Sequence, residues 1–163
     1  MKSRLLSTAT IGALALVPVI GLATPAAAVS HVYECTTGQE KEFATSGWNT
    51  VVNIRVCAEE DDATGAIRAT ASMSWKNGGG NKFNNFDLHL RTEKYDVTVK
   101  GAVCDFTSRL NSVEAGVVQC QVPWTHGVTP GGITGDATVF SDVKDDGAAE
   151  AQWDLGGSPV LVQ

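Results

Sequence analysis

The chain is predicted to be all-β, an antiparallel sandwich or compact barrel of about seven to nine strands. Three observations predict it. Apolar and polar residues alternate with period two, turn signals recur at short intervals, and apolar spacing of the helical kind is scarce. The alternation is clearest over residues 66–75, where Ile67, Ala69, Ala71, Met73 and Trp75 share one face and Arg68, Thr70, Ser72 and Ser74 the other. Such a strand has one face in a core and one in water. Ahead of it, residues 50–57 are rich in β-branched side chains, with Val52, Ile54 and Val56 on one face. Between the two, residues 58–65 carry the acidic run Glu59-Glu60-Asp61-Asp62 and are expected to form a solvated hairpin connection, longer than the tightest turns.

The next break is Asn77-Gly78-Gly79-Gly80-Asn81, where glycine favours a turn or mobile loop over strand interior. Phe86, Leu88 and Leu90 then alternate with Asp87, His89 and Arg91. A turn is expected near residues 92–94, after which Tyr95, Val97 and Val99 continue the pattern. A short strand over 102–106, a turn-prone return over 108–116 and a strand over 117–122 follow, the last ended by Pro123, which has no N–H to donate. That arrangement places Cys104 and Cys120 on adjacent strands. Residues 127–135 are expected to be loose. Two final strands, 137–143 and 148–155, turn back through Lys144-Asp145-Asp146-Gly147, with Ala149, Ala151, Trp153 and Leu155 as the apolar face of the second. Residues 156–159 are expected to be a loose tail, with an edge strand available at 160–162.

Lys2 and Arg4, an apolar stretch broken by Gly12, Pro18 and Gly21, and the closing Ala26-Ala27-Ala28 have the order of a cleavable export signal. Residues 1–28 are therefore expected to be a signal peptide, and 29–163 a single β domain that is secreted. No later stretch approaches the roughly 20 apolar residues needed to span a bilayer. Loss of Lys2 and Arg4 with the leader would make the mature chain more acidic than the full chain, whose formal charge is −6. Such a surface repels nucleic acid phosphates and anionic membranes, so neither is an expected partner.

Cys35, Cys57, Cys104 and Cys120 are an even set in a chain read as exported, which favours two bridges. Three pairings are possible. Cys35–Cys57 and Cys104–Cys120 are preferred, since each pair can join neighbouring strands. A four-cysteine zinc site is disfavoured, because its short C-x-x-C spacing is missing.

No nucleophile elbow, phosphate-binding glycine loop, zincin motif or dinucleotide fingerprint is present. His31, His89 and His126 fall near the mature terminus, on a polar strand face and before a loop, so no catalytic role, cofactor or enzyme activity is assigned. The acidic run at 59–62 and the set Asp142, Asp145 and Asp146 lack EF-hand register and are expected to be solvated connections. Cleavage after Ala28 would expose Val29-Ser30-His31, four nitrogens suited to Cu(II) or Ni(II). A third-position histidine arises often by chance, and no metal site is assigned. Trp75 and Trp153 are in phase with core residues and are expected to be packing anchors. Trp48, beside Gly47, and Trp124, beside Pro123, are the candidate binding residues, because a rim aromatic combines apolar area with a polar handle.

The expectation is a secreted, non-catalytic domain that binds or assembles with another secreted protein. Two alternatives stand beside it: a carbohydrate-binding module using Trp48 and Trp124 on one exposed face, and a protease inhibitor with a rigid loop braced by Cys104–Cys120. The Ala-Ala-Ala signal end, the four cysteines and the Thr-, Ala- and Gly-rich alternating strands together resemble small secreted proteins of streptomycetes and related actinobacteria. In plan the chain is similar to the small adaptor of umbrella-shaped secreted toxin particles. That resemblance implies a linker between a toxin-bearing and a lectin-bearing subunit. It covers the mature region in size and layout, and it carries no functional residue over. Arg55-Val56-Cys57 and Ala102-Val103-Cys104-Asp105 are the segments where it would first be compared.

Overall fold

The computed structural model describes residues 31–129 and 131–162. The expected leader and its cleavage site, and Val29 and Ser30 of the terminal nitrogen pattern, lie outside the described residues. In chain order the elements are β1 (His31–Cys35), β2 (Gln39–Phe43), β3 (Thr50–Asp61), β4 (Ala66–Lys76), β5 (Phe83–Lys94), β6 (Val97–Asp105), α1 (Thr107–Ser112), β7 (Gly116–Gln121), β8 (Ile133–Val143) and β9 (Ala151–Asp154). They form two antiparallel sheets. One runs β1-β3-β4-β7, with β2 also on β3; the other runs β6-β5-β8-β9. The sheets face each other across one main core, which makes the closure a sandwich.

Period-two alternation builds that core directly. Val52, Ile54 and Val56 of β3 and Ala69, Ala71, Met73 and Trp75 of β4 face Phe86, Leu88 and Leu90 of β5 and Ala137 and Val139 of β8. The opposite faces of the same strands carry Asn53, Arg55, Thr70, Ser72, His89 and Arg91. Strict alternation would put Phe83 and Phe86, three apart, on opposite faces. A register shift between Phe83 and Asn85 in the β5–β8 ladder turns both inward.

Where the chain's small residues lie, the sheets come close. A Cβ on Gly135 of β8 would stand 2.6 Å from the Cys57 carbonyl oxygen of the facing sheet. Nearby, the Thr92 hydroxyl of β5 accepts the Ala69 amide of β4 at 2.7 Å. Ala69 turns its backbone toward β7, which ends before Pro123, so a side chain from the other sheet takes the amide that the ladder leaves over. Thr92 is wholly buried. Thr92→Val keeps the shape and removes the acceptor, and is expected to cost about 1–3 kcal/mol of unfolding free energy in urea titrations. A loss under about 0.5 kcal/mol would mean that the amide finds another acceptor.

Several sequence expectations are corrected. The β3–β4 connection is shorter than expected: β3 runs to Asp61, and only residues 62–65 turn. The acidic residues stay in the strand because they have partners. Glu59 takes Arg68 Nε at 2.7 Å and the Thr70 hydroxyl at 2.8 Å, and Asp61 accepts the Ala63 amide. The turn expected at 92–94 falls at Tyr95 and Asp96, with φ of 51° and 62°. β5 continues to Lys94 because β8 continues beside it to Ile133. Tyr95, Val97 and Val99 are consequently exposed on the hairpin tip and edge strand.

The return at 108–116 contains α1, which buries Leu110. Asn111 extends the β5 ladder with its side chain, accepting the Phe83 amide at 2.9 Å and donating to the Phe83 carbonyl at 2.7 Å. Ile133 to Gly135, expected to be loose, belong to β8, while β9 is short and leaves Ala149 and Ala151 exposed. The tail is held along β8: Ser158 and Leu161 amides donate to the Gly135 and Ile133 carbonyls, and Leu161 is buried.

Both preferred disulfides are present. Cys35 and Cys57 sit directly opposite each other on the neighbours β1 and β3. Cys104 and Cys120 do not lie on adjacent strands, as expected from their flanks; they join β6 and β7, the edge strands of opposite sheets, at a Cα separation of 5.9 Å. The N-terminal strand is spent inside the fold. β1 and β2 lie end to end along β3, and Thr36 bridges the break by exchanging hydrogen bonds with the Val56 backbone.

Candidate binding site

Trp48 and Trp124 lie at opposite ends of the first sheet. Trp48 stands by the β4 end that carries Lys76, and Trp124 covers the Arg68 end. The stretch of β4 between Arg68 and Lys76 spans about 26 Å at about 3.3 Å per residue. Both rings border residues of the sheet's outer face, Trp48 beside Glu40, Glu42 and Lys76 and Trp124 over Arg68, but at opposite ends of it.

Trp124 is half-buried by its own chain. His31 stacks on it at 5.7 Å between ring centroids, and the Arg68 guanidinium lies 4.1 Å from its centroid. Arg68 in turn reaches Glu59 and Gln121. Next to this group, Tyr33, Arg55, Ser72 and Gln119 line a shallow polar depression on the sheet's outer face. Trp75 and Trp153 pack inward. Trp75 is 5% exposed and donates its indole N–H to the Val113 carbonyl, while Trp153 meets Phe43 edge-on at 6.3 Å.

Trp48 is 81% exposed. Its backbone is nonetheless clamped: the Trp48 carbonyl accepts the Thr45 hydroxyl at 3.0 Å and Lys82 Nζ at 2.7 Å. Gly47, at φ of 76°, makes the reversal that turns the indole outward. Around it, Thr50 donates its hydroxyl to the Asn77 carbonyl, Asn77 donates its side-chain amide to the Asn49 carbonyl, and Asn49 donates to Glu42. The glycine run, expected as a turn or mobile loop, connects β4 to β5 and is docked. Gly78 and Gly79 amides donate to the Glu114 and Leu110 carbonyls at 2.7 Å each, and a Cβ on Gly78 would come within 2.8 Å of the Trp75 indole. Trp48 is therefore a ridge between two open depressions, one bounded by Ser46, the glycine run, Lys82 and Glu114, the other by Glu40, Glu42, Asn49 and Lys76.

Lys82 is the member of this group that sequence reading missed. It is 9% exposed, and Nζ donates to the Trp48 and Asn77 carbonyls at 2.7 Å each. A lone lysine between Asn81 and Phe83 carries no sequence signal of burial, since one of the two carbonyls that hold it, that of Trp48, comes from a loop 34 residues away.

The remaining candidates are dispersed. His89 packs on Phe140 with ring centroids 4.6 Å apart, and His126 is exposed. Among the described residues, no group of three His, Cys, Asp or Glu side chains could hold a metal ion. Between Cys104 and Cys120 lie α1 with its buried Leu110, the bend at 113–115 and most of β7. Outside the helix ladder, Asp105 accepts the Thr107 amide, and the Thr107 hydroxyl together with that amide holds its carboxyl below the usual range. Among the described residues, no helix is long and apolar enough to cross a membrane.

Fold and site together define a disulfide-stapled antiparallel sandwich with one rigidly mounted, exposed tryptophan. Comparison with protein families, with curated proteins and with solved structures found no match to this chain.

Proposed function

We propose that this chain is an exported, non-catalytic domain that docks another exported protein through the Trp48 end of its sandwich. The observation that supports this reading is an indole left in water while its backbone is clamped by Thr45 and Lys82. A tryptophan can bury on the order of 150–250 Å² on contact. At about 25 cal/mol per Å², that is several kcal/mol available to a partner. Because the loop is already ordered, little of it is lost to fixing the loop on binding. An adaptor in a multi-subunit exported particle is one form of this role, in keeping with the resemblance in plan.

The test is affinity purification of the tagged mature protein from native culture medium, run in parallel with Trp48→Ala. Stoichiometric co-purification is expected with the parent chain and at least about tenfold less with the variant, as for a hot-spot residue. The melting temperature should be almost unchanged, because the ring is exposed. Equal recovery with both proteins, or monomer alone with both, would refute the reading.

A glycan-binding reading is favoured by a different observation: Glu42, Asn49 and Asn77 surround the ring with hydrogen-bonding groups. It would rest on a single ring, since Trp124 is at the far end. Saturable changes in Trp48 fluorescence on glycan addition, lost in Trp48→Ala, would decide for it.

A further inference from the structure

We propose that the depression beside Trp48 is a carboxylate subsite, with Lys82 as the cation that receives an aspartate or glutamate side chain of the partner protein. The proposal rests on the reading that the Trp48 end is the docking surface, and it specifies the chemistry of what docks there. Lys82 is nine-tenths buried, yet both of its acceptors are neutral carbonyls. The ion pairs among the described residues are Arg68–Glu59, Arg91–Glu93 and Arg91–Asp136, so none involves Lys82.

Burying an ammonium without a counter-charge is costly, and two carbonyls recover only part of its lost hydration. Joining the Trp48 and Asn77 loops requires two donors; it does not require a charge. An ammonium has three donors, and two are engaged. Lys82 also lines the open depression next to the indole, so an incoming carboxylate would meet the unused donor and supply the missing charge. Glu114 is exposed on the rim of the same depression and is the acid already present there. It screens the site against stray anions and must be displaced or turned aside by a bound carboxylate.

A protein side chain is favoured over an acidic sugar by the walls of the depression. Gly78, Gly79 and Gly80 form one side with bare backbone, which admits a narrow side chain beside a flat ring. A sugar presents hydroxyls around its whole rim and calls for several side-chain partners in one plane.

The experiment is selection of a random peptide display library on the immobilised mature protein, with counter-selection on Trp48→Ala. The expected result is a set of peptides that require Trp48 and share one Asp or Glu. Replacing that acid by its amide in a synthetic peptide should weaken binding about tenfold or more, as for loss of a charge-assisted contact. Lys82→Met should abolish the preference between acid and amide, and Glu114→Gln should strengthen acidic peptides. If Lys82→Met fails to fold, the acid-to-amide exchange in the peptide reads the same contact from the other side.

Peptides that need Trp48 but bind equally as acid and amide would overturn the carboxylate subsite and leave the docking reading standing. Peptides indifferent to Trp48→Ala would overturn the docking reading itself. Competition by glucuronate but not by glucose, with no acidic peptide selected, would replace the protein side chain with an acidic glycan and overturn the proposal as stated.

Discussion

Phe86→Ala is expected to lower the unfolding free energy by about 3–5 kcal/mol, enough to remove much of the stability of a domain this size. Phe86 is wholly buried and packs edge-on against Phe43 at 5.5 Å and Phe83 at 5.4 Å. Phe43 belongs to the first sheet and the other two to the second, so the three rings join the sheets at one end of the core. Truncation removes the ring's burial and leaves a cavity that two fixed neighbours cannot fill. The rigidity has a local cause. The Phe86 amide is held by the Thr107 hydroxyl at 2.8 Å, and its carbonyl accepts the Phe106 amide, so the backbone cannot drift inward. Denaturant unfolding monitored by tryptophan fluorescence measures the loss. Phe86→Leu should lose clearly less, and equal losses for both would show that shape complementarity, rather than buried volume, dominates there.

Replacing Cys104 and Cys120 together by serine is expected to cost about 2–5 kcal/mol, and more than the same change at Cys35 and Cys57. Loop closure alone does not separate the two bridges. Their sequence separations are 16 and 22, and the entropy term grows slowly with length. The difference lies in the folded state. Cys35 and Cys57 face each other in a ladder that already fixes β1 on β3. Cys104 and Cys120 connect edge strands that share no ladder, so without them β6 and β7 are free to splay from that side of the core. Cys120 is also 1% exposed, and serine would bury a hydroxyl there. Paired urea titrations of the two double variants decide the matter; a smaller loss at Cys104 and Cys120 would contradict it.

Much of the fold was legible because half-buried antiparallel strands write their faces directly into alternate residues. Ile67 to Trp75 is the plainest case, and all five of its apolar members are buried. Legibility ended where the ladder is irregular. The register shift near Phe83 turns two rings of the wrong spacing inward, and β5 outlasts its own apolar pattern because β8 lies beside it. Glu59 looked like loop chemistry and is strand chemistry, since its partners Arg68 and Thr70 belong to the next strand.

The candidate site divides in the same way. Trp48 and Trp124 carry the same sequence signal, a tryptophan next to a turn residue. Trp124 is covered by His31 and Arg68, far from it in sequence, whereas nothing comparable covers Trp48. Which residues alternate into strands, which glycines turn the chain and that the cysteines pair could all be read from the order of residues. All of these follow from local geometry and composition. Tertiary structure alone decided that one bridge joins the two sheets, that Trp48 stays in water and that Lys82 is buried beneath it. Each of these depends on groups from distant parts of the chain meeting only after the sheets have packed.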